Sequence, residues 1–374
     1  MFRPVIFTHD ILPDCRRRPR GGRPRPIDGL KHPKKFPRFV LFYDPRFLDH
    51  VSAPLHVERP ERLKAIVDRL RAEGLFSAVE SPTPAKPADL RRVHHGTFLE
   101  FFENLREGFL DPETAVHPGT WEIALLSAGA ALDAARWSAA ESKPSLALVR
   151  PPGHHAGPDY GGGFCYLNNV AIAAADQVAR GHRVAILDYD AHHGNGTSEI
   201  FSDEAAVLYI STHQYGIYPG TGAAEDVGKG EGRGYNVNVP FTAGCGDTSF
   251  FAAFDEIVEP IVRAHKPDLI LVSLGVDAHY RDPLTGLALS SPGYVDLMSR
   301  SATLAHEVCG GRFVVALEGG YHLQALSEVI AGVVARLRRT RVDLELTQLL
   351  DGKVKGRPAI EATKRAHKEF WDLR

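Results

Sequence analysis

Short apolar runs alternate along this chain with longer segments in which apolar residues recur every three or four positions. The runs predict buried strands and the segments predict helices that cover a core with one stripe. The predicted strands are Phe39–Tyr43, Leu146–Val149, Val184–Asp188, Val207–Ser211, Leu269–Leu274 and Phe313–Leu317. The predicted helices are Pro60–Glu73, Thr120–Ala140, Asn169–Arg180, Ser249–His265, Ser291–Val308, Leu323–Leu337 and Pro358–Leu373. This alternation predicts an α/β fold of three α-β-α layers around a mostly parallel central sheet.

Polar, glycine-rich sequence follows four of the predicted strands. After Val184–Asp188 the chain continues through Asp190 and His192 into a glycine-rich turn. Alternate side chains of an extended strand point the same way, so Asp188, Asp190 and His192 are predicted to lie on one face. The carboxyl ends of parallel strands meet at one edge, where ligands bind. A shared pocket is therefore predicted for His154, His155, Asp188, Asp190, His192, Asp277 and Tyr321.

This set of side chains suits metal-assisted hydrolysis. Two carboxylates and an imidazole neutralise most of a 2+ charge and leave one coordination position open. Bound Zn²⁺ lowers the pKa of water to about 7, a histidine can accept a proton, and a tyrosine can stabilise an oxyanion. Each residue alone also fits a structural role, such as a helix cap. Their convergence on one sheet edge favours hydrolysis of an amide or ester.

The charge distribution separates a basic N-terminal extension from an acidic remainder. Residues 16–38 hold ten lysines and arginines against one acid, Asp28, and so carry a charge of +9. Because the whole chain has a net charge of −2, the remaining residues carry −11. The basic, proline-rich segment has few apolar residues to bury. Residues 1–38 are therefore predicted to be an extension, and residues 39–374 a single catalytic domain. The acidic body favours a cationic substrate and disfavours nucleic acid, except through the extension.

The sequence also predicts the cellular setting. The N-terminus lacks the apolar stretch of a signal peptide, and no run of 18 apolar residues predicts a membrane span. The cysteines show no CxxC spacing, which is typical of reduced thiols; they are Cys15, Cys165, Cys245 and Cys309. We therefore expect a cytoplasmic protein, and the sequence is compatible with an oligomer.

The same residues, in the same order, resemble the zinc-dependent histone deacetylase superfamily. This superfamily includes class II-like bacterial histone-deacetylase-like amidohydrolases and acetylpolyamine amidohydrolases. The resemblance implies an arginase/deacetylase-type fold and removal of acetyl or other short acyl groups from acylated lysines of proteins or peptides. It covers residues 39–373, and the matching segments are His56–Leu63, Pro118–Glu122, Arg150–Gly157, Gly162–Asn169, Asp188–Thr197, Ser273–Asp277 and Leu317–Tyr321.

The resemblance implies a role for each residue of the pocket. Zn²⁺, or the Fe²⁺ that such sites also accept, would be held by Asp190, His192 and Asp277. His155 would be the general base, His154 a proton shuttle or electrostatic partner, and Tyr321 the donor to the scissile carbonyl. Asp188 would orient His154, and Asn195 would orient His155. Asn195 replaces an aspartate common in the eukaryotic class I type, which indicates the class II-like branch.

A narrow acyl-lysine channel and monovalent cation sites are also implied by the resemblance. The channel would be lined by Gly163, Phe164, Tyr218, Leu284 and Glu113. Tyr218 stands where phenylalanine is common, so its hydroxyl adds a polar group that can admit or reposition a hydroxylated acyl chain. Structural K⁺ or Na⁺ ions would lie near Phe201 and at backbone oxygens of Asp188, Asp190 and His192 with Ser211.

Three alternatives to a lysine deacylase follow from the same sequence. Glu113 and the motifs Pro118–Glu122 and Ser273–Asp277 resemble acetylpolyamine amidohydrolases, which act on small N-acetylated amines. The short loop Glu107–His117 and the apolar Leu284 instead favour an open mouth that takes a peptide. A non-catalytic acyl-lysine binder would lack a ligand or the tyrosine. A dimanganese ureohydrolase would need more carboxylates than this set provides.

Overall fold

The computed structural model describes residues 39–373, so the predicted extension lies outside the described residues. The strands are β1 (Val40–Phe42), β2 (Val79–Glu80), β3 (Gly108–Asp111), β4 (Thr114–Val116), β5 (Ser145–Ala147), β6 (Val184–Asp188), β7 (Val207–Gln214), β8 (Asn236–Phe241), β9 (Leu269–Leu274) and β10 (Phe313–Leu317). The α-helices are α1 (Glu61–Ala72), α2 (Pro87–Leu90), α3 (Gly96–Asn104), α4 (Thr120–Glu141), α5 (Asn169–Val178), α6 (Asn195–Ile200), α7 (Asp247–Ala253), α8 (Glu259–His265), α9 (Ser291–Cys309), α10 (Leu323–Leu337) and α11 (Arg357–His367). Two 3₁₀ segments, Pro45–Asp49 and Gly230–Gly232, and one π-helical segment, Phe254–Val258, complete the elements.

Eight strands form one sheet in which every neighbouring pair is parallel. Their order is β2-β1-β5-β10-β9-β6-β7-β8. Strands β5, β10, β9 and β6 are adjacent, with Leu317 opposite Leu274 and Asp188 opposite Ser273. The four strand ends that were predicted to carry the chemistry are therefore neighbours at one edge of the sheet.

Helices cover both faces of this sheet, which confirms the predicted three-layer α/β fold. Helix α4 packs against α5 and against β1 and β10, while α9 packs against α10, β9 and β10. Every residue of β6, β9 and β10 is buried. Burial on both sides explains why these strands are continuous apolar runs in the sequence.

Capping residues set the ends of two helices behind the site. The side chain of Asn168 accepts the Ala171 N–H at the start of α5, and Ser290 accepts the Gly293 N–H at the start of α9. Gly310 ends α9 in the left-handed conformation, with φ at 66°. Polar N-caps and a C-terminal glycine satisfy the free backbone groups of helix ends.

The short elements β2, α2, α3 and α6 were not predicted, and the structure differs from the prediction in three further places. Strand β8 was missed because Asn236, Asn238 and Pro240 interrupt its apolar pattern, and an edge strand tolerates proline. The predicted loop Glu107–His117 contains the antiparallel hairpin of β3 and β4. The helix predicted over Ser249–His265 is divided into α7 and α8 by the π-helical segment.

Two further sequence expectations can be compared with the described residues. Among the helices within 39–373, none combines the length and apolar character that a membrane span needs. Three cysteines are buried free thiols, as predicted: Cys165, Cys245 and Cys309. Cys15 lies outside the described residues.

Candidate functional site

A cavity of about 460 Å³ lies beyond the ends of the four central strands. Five of its lining residues were predicted to carry chemistry, namely His154, His155, Asp190, His192 and Tyr321. All five predicted channel residues also line it, namely Glu113, Gly163, Phe164, Tyr218 and Leu284. Asp188 and Asp277 lie behind this lining and contact it through hydrogen bonds to His154 and His192. The structure thus brings the predicted pocket together.

Asp190, His192 and Asp277 form a triad whose atoms fit a divalent metal ion. Each offers one ligand atom, and these atoms lie within 4.8 Å of one another. His192 Nδ1 is 3.2 Å from Asp190 Oδ1 and 3.0 Å from Asp277 Oδ2. A tetrahedral ion with bonds of about 2.0–2.2 Å separates its ligand atoms by about 3.3–3.6 Å. Within residues 39–373 this is the one such group of three or more possible ligands.

Backbone N–H groups hold the two carboxylates of the triad. Gly319 N donates to Asp190 Oδ2 over 2.9 Å, and Ala191 N donates to Asp277 Oδ1 over 2.8 Å. A Cβ atom at Gly275 would lie 2.1 Å from Asp190 Oδ2, so only glycine allows this approach. The ligand set is therefore held rigidly by the loops after β6, β9 and β10.

The electrostatics of the triad require a positive charge among its members. Burial disfavours a charge on His192, but hydrogen bonds to Asp190 and Asp277 outweigh it and raise its pKa to about 10. Burial and the negative charge of Asp190 raise the pKa of Asp277 to about 7. A divalent cation or a protonated imidazole can supply the required charge.

The paired histidines face different partners. His154 Nδ1 lies 3.1 Å from Asp188 Oδ2, and His155 Nδ1 lies 2.8 Å from Asn195 Oδ1. Burial disfavours a charge on His154, but Asp190 and Asp188 outweigh it and raise its pKa to about 10. Burial and the charge of His154 lower the pKa of His155 well below its usual range. These surroundings favour a positive charge on His154 and a neutral His155, although the two ring centroids are only 4.0 Å apart.

The Asp188 carboxylate contacts His154, whereas the three possible metal ligands are Asp190, His192 and Asp277. Strand β6 ends at Asp188, and the chain then turns, which ends the alternation. The Asp188 carboxylate accepts hydrogen bonds from His154, from the Tyr209 hydroxyl over 3.0 Å and from Asp190 N over 3.1 Å. This position agrees with the orienting place that the family resemblance implied.

Two residues expected near monovalent cations, Ser211 and Phe201, are buried. Ser211 is the register partner of Asp188 on β7, and its hydroxyl is 2.9 Å from His213 Nδ1. Phe201 is buried and directly follows α6.

Tyr321 and two aromatic side chains form the walls of the cavity. The Tyr321 ring lies edge to face with Phe164, with centroids 5.9 Å apart, and the Arg62 guanidinium is 5.0 Å from its centroid. Burial raises the pKa of Tyr321 well above its usual value, which keeps the phenol protonated as a donor. Tyr218 packs edge to face with His155, with centroids 5.0 Å apart.

A buried ion cluster near the site was missed in the sequence. Glu58 Oε1 accepts from Arg150 Nε over 2.6 Å and from Arg62 Nη1 over 3.2 Å. All three side chains are at most 1% exposed. The spacing of Glu58 and Arg62 is the i,i+4 spacing of ordinary surface pairs on helices, so the sequence did not indicate their burial.

The two arginines of this cluster connect it to the catalytic loops. Arg62 donates to the carbonyl oxygens of Glu318 over 2.6 Å and Gly320 over 2.7 Å, just before Tyr321. The Glu318 carboxylate in turn accepts from Gly153 N over 2.7 Å and from His154 N over 3.2 Å. Arg150 opens the loop that carries both histidines, so the cluster fixes two sides of the cavity.

The fold places possible metal ligands, two histidines and a tyrosine at one cavity, and proteins with similar sequences are described as deacetylases. A family model described as the histone deacetylase domain matches residues 56–337. A probable deacetylase of Archaeoglobus fulgidus is 41% identical over 354 aligned positions, covering 89% of this chain and 98% of the relative. The histone deacetylase-like amidohydrolase of Pseudomonas aeruginosa is 42% identical over 281 positions, covering 72% and 73%.

A solved structure shows the same fold. The crystal structure of the HDA15 HD domain matches with a TM-score of 0.81 at 35% identity, covering 89% of this chain and 95% of that one. The chain therefore belongs to the histone deacetylase family, and it is a hydrolytic deacetylase enzyme. This confirms the family and the enzyme class that the sequence motifs predicted.

The variant Glu58→Gln is predicted to lose about 3–5 kcal/mol of stability at pH 7, because two buried guanidinium groups lose their counter-charge. Urea denaturation measures this loss. The control Glu61→Gln removes an exposed partner of Arg59 and should change stability by less than about 1 kcal/mol.

The same loss should depend on pH. Burial disfavours the charge on Glu58, but Arg150, His50 and Arg62 outweigh it and lower its pKa from 4.5 to about 2. A lowered carboxyl pKa gives stability that is complete above about pH 4.5 and is lost as the pH falls towards 2. The difference between wild type and Glu58→Gln should therefore shrink at low pH, and an equal difference at pH 3 and pH 7 would contradict this account.

Proposed function

We propose that the protein removes acetyl or other short acyl groups from acylated lysine side chains of proteins or peptides, with Zn²⁺ as its metal. Fe²⁺ is the alternative metal for the same donor set. The observation that supports this proposal is a single cavity lined by two members of the triad, Asp190 and His192. The same cavity is lined by both paired histidines, Tyr321, Phe164 and Tyr218. A linear acylated side chain fits such a channel with its amide at the inner end.

The rim of the cavity supports a polypeptide substrate. Leu55, Tyr218 and Leu284 line the cavity and are 103%, 44% and 39% exposed. Exposed apolar side chains around a channel suit contacts with a peptide backbone and its neighbouring side chains. An enzyme limited to small amines gains nothing from this open rim.

Each residue of the cavity would have a separate role in amide hydrolysis. The metal would be held by Asp190, His192 and Asp277. A bound divalent ion lowers the pKa of water and polarises a carbonyl. The neutral His155 would accept the proton of the attacking water, and Tyr321 would donate to the developing oxyanion. The cationic His154 would stabilise this negative charge and supply a proton for the leaving amine.

The second candidate substrate is an acetylated polyamine. Glu113, in the turn between β3 and β4, lines the cavity near its mouth. A carboxylate in this position suits the ammonium group of a small amine. Asp111, in the same hairpin, instead accepts from Gly163 N over 2.8 Å and supports the channel wall.

Further parts of the proposal concern ions and cellular setting. Structural K⁺ or Na⁺ would lie beside Asp188 and Ser211 and near Phe201. A cytoplasmic location fits the buried free thiols, because disulfides are rare in reducing compartments. Any contact with nucleic acid would involve residues 1–38.

Metal removal is predicted to abolish activity. Dialysis against a strong chelator removes the ion, and one equivalent of Zn²⁺ or Fe²⁺ should restore turnover, with about one ion per chain by elemental analysis. Circular dichroism is the control, since the triad keeps its internal hydrogen bonds and the fold should persist. Full activity in a preparation with less than about a tenth of an ion per chain would contradict a metal-dependent mechanism.

The variant Tyr321→Phe is predicted to lower kcat by about 10²–10³-fold, because it removes one donor to the oxyanion. KM should change little, since the ring and its contact with Phe164 remain. The control Tyr280→Phe changes a nearby tyrosine outside the cavity lining and should leave kcat within about twofold. A kcat within twofold of wild type for Tyr321→Phe would show that Tyr321 is not the donor.

A substrate panel is predicted to favour peptides. The kcat/KM on acetyl-lysine peptides should exceed that on acetylputrescine or acetylspermidine by at least about tenfold, which is about 1.4 kcal/mol. The variant Leu284→Glu should raise kcat/KM on the acetylated polyamines up to about fivefold through one partly exposed ion pair. The control Leu349→Glu changes another exposed leucine outside the cavity. Activity confined to acetylated polyamines would replace the peptide proposal with the second candidate.

A further inference from the structure

A chain of three hydrogen bonds connects the ring of His155 to the protein surface. Asn195 Oδ1 lies 2.8 Å from His155 Nδ1. The Asn195 amide nitrogen donates to the Tyr160 hydroxyl oxygen over 3.0 Å, and this hydroxyl donates to Glu199 Oε2 over 2.8 Å. His155 lines the cavity, whereas Glu199 is exposed on α6. The proposed general base is therefore linked to a carboxylate outside the cavity.

When Glu199 is ionised, the donor and the acceptor of each of these three hydrogen bonds are fixed. A carboxylate only accepts, so Tyr160 gives its single proton to Glu199, and the tyrosine oxygen accepts from Asn195. This turns the amino group of Asn195 towards Tyr160 and its carbonyl oxygen towards His155. The carbonyl needs a donor, so the proton of His155 lies on Nδ1. Burial lowers the pKa of His155, and the neutral ring keeps Nε2 as an acceptor.

Because residue 195 is an asparagine, its amide needs a second partner besides His155 to fix its orientation. An amide rotated by 180° has nearly the same shape but exchanges its oxygen for an amino group. The rotated Asn195 would donate to Nδ1 of His155 and place the ring proton on Nε2, where the ring could no longer accept a proton. An aspartate has two equivalent oxygens and creates no such choice.

We propose that Tyr160 and Glu199 are positioning residues that fix the amide of Asn195 and hold His155 in the tautomer whose Nε2 accepts a proton. Both side chains line a second pocket of about 490 Å³ together with Asn195, so they act through Asn195 and not on the substrate. The inference rests on the proposed function, because the proposed reaction is what requires Nε2 of His155 to accept a proton.

The first test measures steady-state kinetics of the full-length, metal-loaded enzyme. Tyr160→Phe removes the hydrogen bond that anchors the amide of Asn195. Glu199→Gln replaces an acceptor with a group that can also donate to Tyr160, so the direction of the tyrosine proton is no longer fixed. Each variant is expected to lower kcat about tenfold. KM should change less than about twofold, since neither residue touches the substrate cavity. The control Glu225→Gln removes another exposed acid of the second pocket. An equal loss of kcat in this control, or a change in KM alone, would overturn the proposal.

A double-mutant cycle separates tautomer control from a structural role. A carboxylate accepts from His155 in either orientation, so Tyr160→Phe should change kcat less than about twofold in a chain that carries Asn195→Asp. A tenfold loss in both backgrounds would mean that Tyr160 only supports the structure, which would overturn the proposal.

Nitrogen NMR of histidine-labelled, zinc-loaded protein reads the tautomer without turnover. His155, assigned by comparison with His155→Gln, should carry its proton on Nδ1 in the wild type and show both tautomers in Tyr160→Phe. A wild-type proton on Nε2 would overturn the positioning role whatever the activity. Absence of activity on every acylated amine, with the expected tautomer pattern present, would instead overturn the proposed function and leave the positioning of His155 standing.

Discussion

The geometry of the site depends on one buried carboxylate, Glu58, which lies between the guanidinium groups of Arg62 and Arg150. Charges at this depth are tolerated only when they are paired and fully hydrogen bonded. Arg150 begins the loop that carries both histidines, and Arg62 holds the backbone just before Tyr321. A single ion cluster therefore connects the start of α1 to two of the loops that form the cavity, and loss of its anion would release both.

The four central strands concentrate negative charge at one edge of the sheet. The carboxylates concerned are each at most 1% exposed, and they are Asp188, Asp190, Asp277 and Glu318. Backbone N–H groups satisfy part of this charge, as Gly319 does for Asp190 and Gly153 does for Glu318. The remainder requires cations, because unpaired buried charge is costly. Because these buried carboxylates are costly without a counter-charge, they favour binding of a divalent ion and protonation of His154.

The sequence was sufficient to predict most of the fold and ten of the eighteen residues that line the cavity. Strands buried on both faces are continuous apolar runs, and their polar ends had to meet because the strands are parallel. The missed strand β8 lies at the sheet edge, where polar residues and a proline are tolerated. The bond between Tyr160 and Glu199 joins residues 39 positions apart in a loop and a short helix. No periodicity in the sequence marks such a contact. The burial of Glu58 was also missed, because the i,i+4 spacing of Glu58 and Arg62 is that of an ordinary surface pair.

The two histidines show how one fold can give different properties to equal side chains. His154 and His155 are adjacent in sequence, but one faces the charged Asp188 and the other the neutral Asn195. The carboxylates raise the pKa of His154, and a charge on His154 lowers the pKa of His155. A pair of groups whose environments drive their pKa values apart can serve as acid and base at one pH. A carboxylate at position 195 would favour charge on both rings, whereas an amide preserves the difference but introduces a choice of orientation. The hydrogen bond that Asn195 donates to Tyr160 fixes the orientation of the amide. A neutral partner for His155 therefore requires an anchor such as Tyr160.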